Sequence, residues 1–182
     1  MFHFSEDPGI DRFAPHVPQT NPDQAPAVWA IDESHAPAYW FPRDCPRVTA
    51  WPHDDRELAA FQEAFGTEAT RVHAIESTWA ERMASTELFR YEFDARPFHP
   101  WPAASGQWIA SVDVAPISVA AVGDLMQAHR AAGIDLRIVD SLWPLRDLAV
   151  DDRWDFSIIR MANAQPRELD FVPEQESNES RG

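Results

Sequence analysis

Sixteen prolines against six glycines limit this chain more than any other feature. Proline fixes φ, lacks a backbone donor and breaks helix interiors. Residues 12–26 carry Pro15, Pro18, Pro22 and Pro26. That stretch cannot sustain a helix and reads as a long ordered loop, a candidate pocket rim. Elsewhere, strand patterns and short helix patterns mix without regular alternation. The mixture predicts an α+β fold with a strongly twisted, partly antiparallel sheet, not a doubly wound parallel one. A chain of 182 residues is expected to form one domain. Its bounds are set at residues 1–167, because the composition turns acidic and polar after Pro166. Residues 168–182 read as a largely disordered acidic tail.

Residues 1–5 (MFHFS) alternate Phe2 and Phe4 against His3 and Ser5, the period of a strand. Residues 27–31 read as a buried strand. Asp32 or Ser34 then caps a short helix over residues 33–41, with Pro37 in its first turn. The two strands are expected to wall one pocket. Further strands are expected over residues 47–51, 71–75, 87–93, 107–112, 117–122, 135–139 and 156–161. One helix, capped by Asp54 or Asp55, ends at Phe65 before Gly66. Others are expected over residues 78–84, 124–132 and 142–150, the last interrupted near Pro144.

The formal charge of −15 argues against nucleic acid as a main partner, since phosphate backbones need a basic patch. A local arginine cluster still suits one small phosphate ligand. All fifteen basic residues are arginine, which removes lysine Schiff-base chemistry and the phosphate-loop lysine. The single cysteine, Cys45, excludes an internal disulfide and fits a reducing compartment. No apolar run approaches the roughly 18 residues of a membrane helix. No basic start leads into an apolar core, so no signal peptide is expected. These features together predict a cytoplasmic protein without a membrane partner; they leave the oligomeric state open.

Three groups carry candidate chemistry. Asp32 and His35, three apart, suit one helical face and are weak metal candidates. Capping by Asp32 and a surface His35 are the plainer reading. Arg43 and Arg47 flank Cys45 and suit a phosphate or carboxylate in forked geometry. A buried structural Cys45 is the plainer reading there. Trp29 and Tyr39 belong to an aromatic cluster that suits stacking on a ring, or a hydrophobic core.

The segments MFHFS, VWAIDESHAPAYWFPRDCPRV, LFRYEFDARPF, WIASVDVAPISV and SLWPLRD with FSIIRMANAQPR closely resemble a family of small bacterial proteins of unknown function. The resemblance covers about residues 1–167 and brings no activity with it. A second resemblance is to ADP-ribosyltransferase-like folds of the His-Tyr-Glu type. It rests on His3-Phe4-Ser5, on the strand through Trp29 followed by Tyr39, and on Asp113-Val114-Ala115-Pro116-Ile117. It implies NAD as a substrate, His3 on ribose with Ser5 beside it, and Tyr39 stacked on nicotinamide. Asp113 would stand where the family has its catalytic glutamate, one methylene shorter. A carboxylate there stabilises the oxocarbenium-like centre formed as the glycosidic bond breaks. The leading expectation is a nucleotide or nicotinamide pocket of this type. The alternatives are a non-enzymatic interaction module and a metal-assisted hydrolase using Asp32 and His35.

Overall fold

The computed structural model describes residues 1–17, 22–150 and 153–167. The acidic tail expected at residues 168–182 lies outside the described residues. The strands are β1 (Phe2–Ser5), β2 (Val28–Ile31), β3 (Arg47–Pro52), β4 (Val72–Glu76), β5 (Phe89–Glu92), β6 (His99–Pro100), β7 (Gln107–Ala110), β8 (Ser118–Ala121), β9 (Asp135–Val139) and β10 (Trp154–Ile159). The helices are α1 (Leu58–Phe65), α2 (Ala80–Ser85), α3 (Leu125–Ala131) and α4 (Trp143–Ala149). None is long and apolar enough to cross a membrane.

The fold is α+β, and its pairing is mostly antiparallel. The strands divide between two sheets, however, where one was expected. The first runs β6-β7-β2-β1-β5-β8, and the second runs β10-β3-β4-β9. Among the described residues, only β4 and β9 pair in parallel. The opening strand therefore lies in the middle of the first sheet, between β2 and β5.

Burial explains the second sheet. β4 is buried at every position, so both of its faces need cover. Val72 and Ala74 pack with Val48, Phe61, Phe65, Leu142 and Trp154 under α1 and α4. Ile75, on the opposite face, packs with Phe41, Cys45, Met83, Leu88 and Leu125. A third cluster, Val28, Ala30, Tyr91, Phe93, Phe98, Ala110 and Val114, covers one face of the first sheet. Glu76, at the end of β4, is buried and accepts from the Leu142 N–H at 3.4 Å and the Gln165 N–H at 3.0 Å. One carboxylate thus ties β4 to the start of α4 and to the chain beyond β10.

Three local expectations change. Neither Asp54 nor Asp55 caps α1: its N-cap is Glu57, and the Asp54 carboxylate accepts the Arg56 N–H at 2.8 Å instead. Residues 33–41 form a single 3-10 turn, Ala36–Tyr39, in place of a helix. Pro37 occupies its first turn, and Pro42 disfavours a helical Phe41. Pro144 does not interrupt α4, because it sits in the first turn, where its missing N–H costs nothing. The ends marked by Gly66 and Gly133 hold, both at positive φ. Asp124 caps α3 by accepting the Gln127 N–H at 2.9 Å.

Candidate functional site

The site grows from a fault in the first sheet. β1 meets β5 along its whole length, from Phe2 opposite Glu92 to Ser5 opposite Phe89. It meets β2 only at Phe2 opposite Ile31. Beyond that pair a side chain takes the place of the ladder. His3 Nδ1–H donates to the Trp29 carbonyl at 3.1 Å. A hollow of about 90 Å³ lies at this point, lined by residues that include His3, Phe4, Trp29, Ile31, Tyr39 and Gln107. By liquid volume that is space for about three waters, the scale of one six-membered ring.

Burial lowers the pKa of His3; its bond to the Trp29 carbonyl opposes this, and His16 and Arg43 add to it. His3 is therefore neutral at neutral pH. A carbonyl only accepts, so Nδ1 carries the proton and Nε2 keeps an open lone pair. Burial raises the pKa of the Tyr39 phenol, against the pull of Arg47 and Gln107. Gln107 Nε2 donates to the Tyr39 hydroxyl at 3.1 Å, which leaves the Gln107 carbonyl oxygen as a second acceptor. Among the described residues the buried Trp29 Nε1–H has no hydrogen-bond acceptor.

Arg47 places Tyr39. It is buried, and its Nε and Nη1 donate to the carbonyls of Ala38 and Cys45, each at 3.2 Å. Its guanidinium lies 5.8 Å from the Tyr39 ring centroid and 5.2 Å from that of Phe41. Burial lowers its pKa to about 10. Arg47 is thus a brace beneath the Ala36–Tyr39 turn. Cys45 is buried beside it, and burial pushes the thiol pKa from 9.0 up to about 12. A thiol-specific reagent should label the folded protein at least about 30-fold more slowly than the urea-unfolded chain, because thiolate is scarce and the sulfur is buried. Comparable rates would place Cys45 outside the core.

The remaining candidates sit apart from the hollow. Asp113 lies beyond β7 and accepts from Arg12 Nε at 2.6 Å, in an exposed pair. Ser5 Oγ accepts the Asp7 N–H at 3.1 Å and shapes the turn after β1. Arg43 is exposed, close enough to His3 to bias its charge, and no acid among the described residues pairs with its guanidinium. Asp32 and His35 do meet, through a 2.7 Å bond between Asp32 Oδ1 and His35 Nδ1. Among the described residues no third His, Cys, Asp or Glu joins them to hold a metal ion.

Sequence reasoning missed Gln107. A neutral amide opening a strand carries no motif; the one available signal is that it is the polar residue at the head of the apolar segment WIA. The structure makes it central, because β7 pairs with β2 and sets Gln107 opposite Ile31. Beyond Tyr39 and Gln107 the hollow adjoins a larger cleft of about 270 Å³, which shares Ile31, Tyr39 and Gln107 as walls.

A family model described as "Family of unknown function (DUF6886)" matches residues 2–164. No curated protein and no solved structure matches the chain.

Proposed function

The chain belongs to that family of unknown function, and we propose that the hollow between β1 and β2 is a pocket for a nicotinamide- or nucleotide-type ligand, of ADP-ribosyltransferase-like kind. The observation that carries this is the meeting of His3, Tyr39 and Gln107 where the two central strands part. The hollow takes one planar ring against Tyr39. The open Nε2 of neutral His3 accepts a ribose hydroxyl. The Trp29 N–H, without an acceptor among the described residues, gains from a ligand acceptor. Arg43 supplies a cation at the surface nearby for a phosphate.

The third position falls to Gln107 in this reading, not to Asp113, whose carboxylate is taken up by Arg12. A carboxamide forms hydrogen bonds but offers no negative charge to an oxocarbenium-like centre. Recognition without fast glycosidic cleavage is therefore the chemistry the pocket favours.

Melting curves with and without NAD or nicotinamide mononucleotide test this. At a ligand concentration ten times Kd, linkage adds about 1.4 kcal/mol, a rise of roughly 3–6 °C for a domain of this size. His3→Ala and Gln107→Ala should each remove the rise. No rise with either ligand, or a rise that survives both substitutions, would overturn the proposal.

A further inference from the structure

The larger cleft beside the pocket holds a second constellation. Asp32 follows β2, and its N–H donates to the Gly106 carbonyl at 3.0 Å, tying the loop between β6 and β7 to the end of β2. Gly106 has φ +76°, and a Cβ there would lie 2.2 Å from His35 Cγ. Only glycine lets this backbone press so close to the imidazole. The neighbouring residue is Ser105, and its Oγ lies 3.5 Å from His35 Nε2. On the other side of the ring, Asp32 Oδ1 accepts His35 Nδ1–H at 2.7 Å, together with the His35 backbone N–H and the Ser34 hydroxyl, each at 2.9 Å. Burial raises the Asp32 pKa, but these donors outweigh it and hold the carboxyl below its ordinary value. In the neutral tautomer that gives Nδ1–H to the carboxylate, the Nε2 lone pair faces the Ser105 hydroxyl. Trp51 packs edge-on against the imidazole at 5.5 Å and limits its rotation.

We propose that this cleft is a serine-hydrolase site, with Ser105 as nucleophile, His35 as general base and Asp32 as the positioning residue, acting on small carboxylic esters. The 3.5 Å separation is long for a formed bond, and such contacts commonly tighten when substrate docks. The arrangement of roles, not chain order, defines a triad. Tyr39, Trp51, Trp154 and Phe156 wall the cleft, whose volume of about 270 Å³ suits a compact or aromatic acyl group. In the acylation step Ser105 Oγ bonds to the acyl carbon as its proton passes to His35 Nε2. The ester C–O bond then breaks, and the leaving alcohol takes that proton. Water repeats the sequence, releases the carboxylic acid and restores Ser105. Gln107 lines the same cleft, and only one of its two Nε2–H bonds goes to Tyr39. The other is available to the oxyanion.

The test is p-nitrophenyl acetate turnover, together with fluorophosphonate labelling located by peptide mass spectrometry. Label is expected on Ser105. Turnover should fall at least about 100-fold in Ser105→Ala and in His35→Ala. Labelling of Ser105 should fall in step in His35→Ala and in Asp32→Asn. Ser105 is exposed, so the melting curve of Ser105→Ala serves as the folding control. Absence of label at Ser105, or labelling that His35→Ala leaves unchanged, would overturn the assignment. The readout needs no nicotinamide binding, so this proposal and the preceding one fail separately.

Discussion

Phe61→Ala is expected to lower the stability of the protein by about 3–5 kcal/mol, the usual cost of deleting a buried phenyl ring. Phe61 is fully buried on α1. Its ring centroid lies 4.5 Å from Phe65 and 5.5 Å from Trp154. These rings join α1 to β10, and the same cluster includes Val48 and Ala50 of β3 and Val72 and Ala74 of β4. The opposing positions on β3 and β4 are small residues (Val48, Ala50, Val72, Ala74) held in strands, so they do not move in to refill the space. Domains of this size hold about 5–15 kcal/mol in total, so this single change removes about a fifth of the stability or more. Urea denaturation midpoints measure it. A loss under about 1 kcal/mol would mean that α1 does not pack on the second sheet as described.

Acid should weaken the fold through two histidines in the middle of the molecule. His73 and His129 are both fully buried, with ring centroids 5.0 Å apart. Burial, and then the charge of His129, holds the His73 pKa well below 6.5. Burial also lowers that of His129, while the Leu125 carbonyl opposes it. Neither His73 ring nitrogen has a hydrogen-bond partner among the described residues. The sign follows from proton counting. Between the lowered folded pKa and the unfolded value near 6.5, the unfolded chain binds more protons than the folded one. Stability is therefore complete above about pH 7.5 and falls as pH drops through 6.5. Over the span in which His73 stays neutral while the unfolded chain takes up its proton, stability falls by at most about 1.4 kcal/mol per pH unit. Urea midpoints at pH 7.5 and pH 5 should differ accordingly, and His73→Phe should shrink the difference. An equal difference in that variant would remove His73 from the cause.

Much of the frame was legible in the chain. The alternation of Phe2 and Phe4 against His3 and Ser5 marks a strand, and that strand does lie beside the one carrying Trp29. Asp124, Gly66 and Gly133 mark helix ends because capping and positive φ are local requirements. What stayed hidden was long-range. The division into two sheets depends on β10 pairing with β3 and on β9 running parallel to β4. No local pattern encodes either choice. Asp113 reads as a candidate acid from its neighbours, but its carboxylate is taken up by Arg12, far away in sequence. Gln107 and Ser105 carry no motif and acquire their neighbours only when β7 pairs with β2. His35 looked like a lone surface histidine or a weak metal ligand, since the serine facing its second nitrogen is seventy residues on.

The central claim is that the gap between β1 and β2 receives a ring between Tyr39 and His3. Two-dimensional NMR of the protein titrated with nicotinamide tests it most directly. The His3 imidazole signals, the Gln107 side-chain amide pair and the Trp29 indole N–H should shift together along one binding curve, while the indole of Trp143, bonded to the Gln165 carbonyl elsewhere, stays in place. A titration that moves none of the three, or moves Trp143 as much as Trp29, would contradict it.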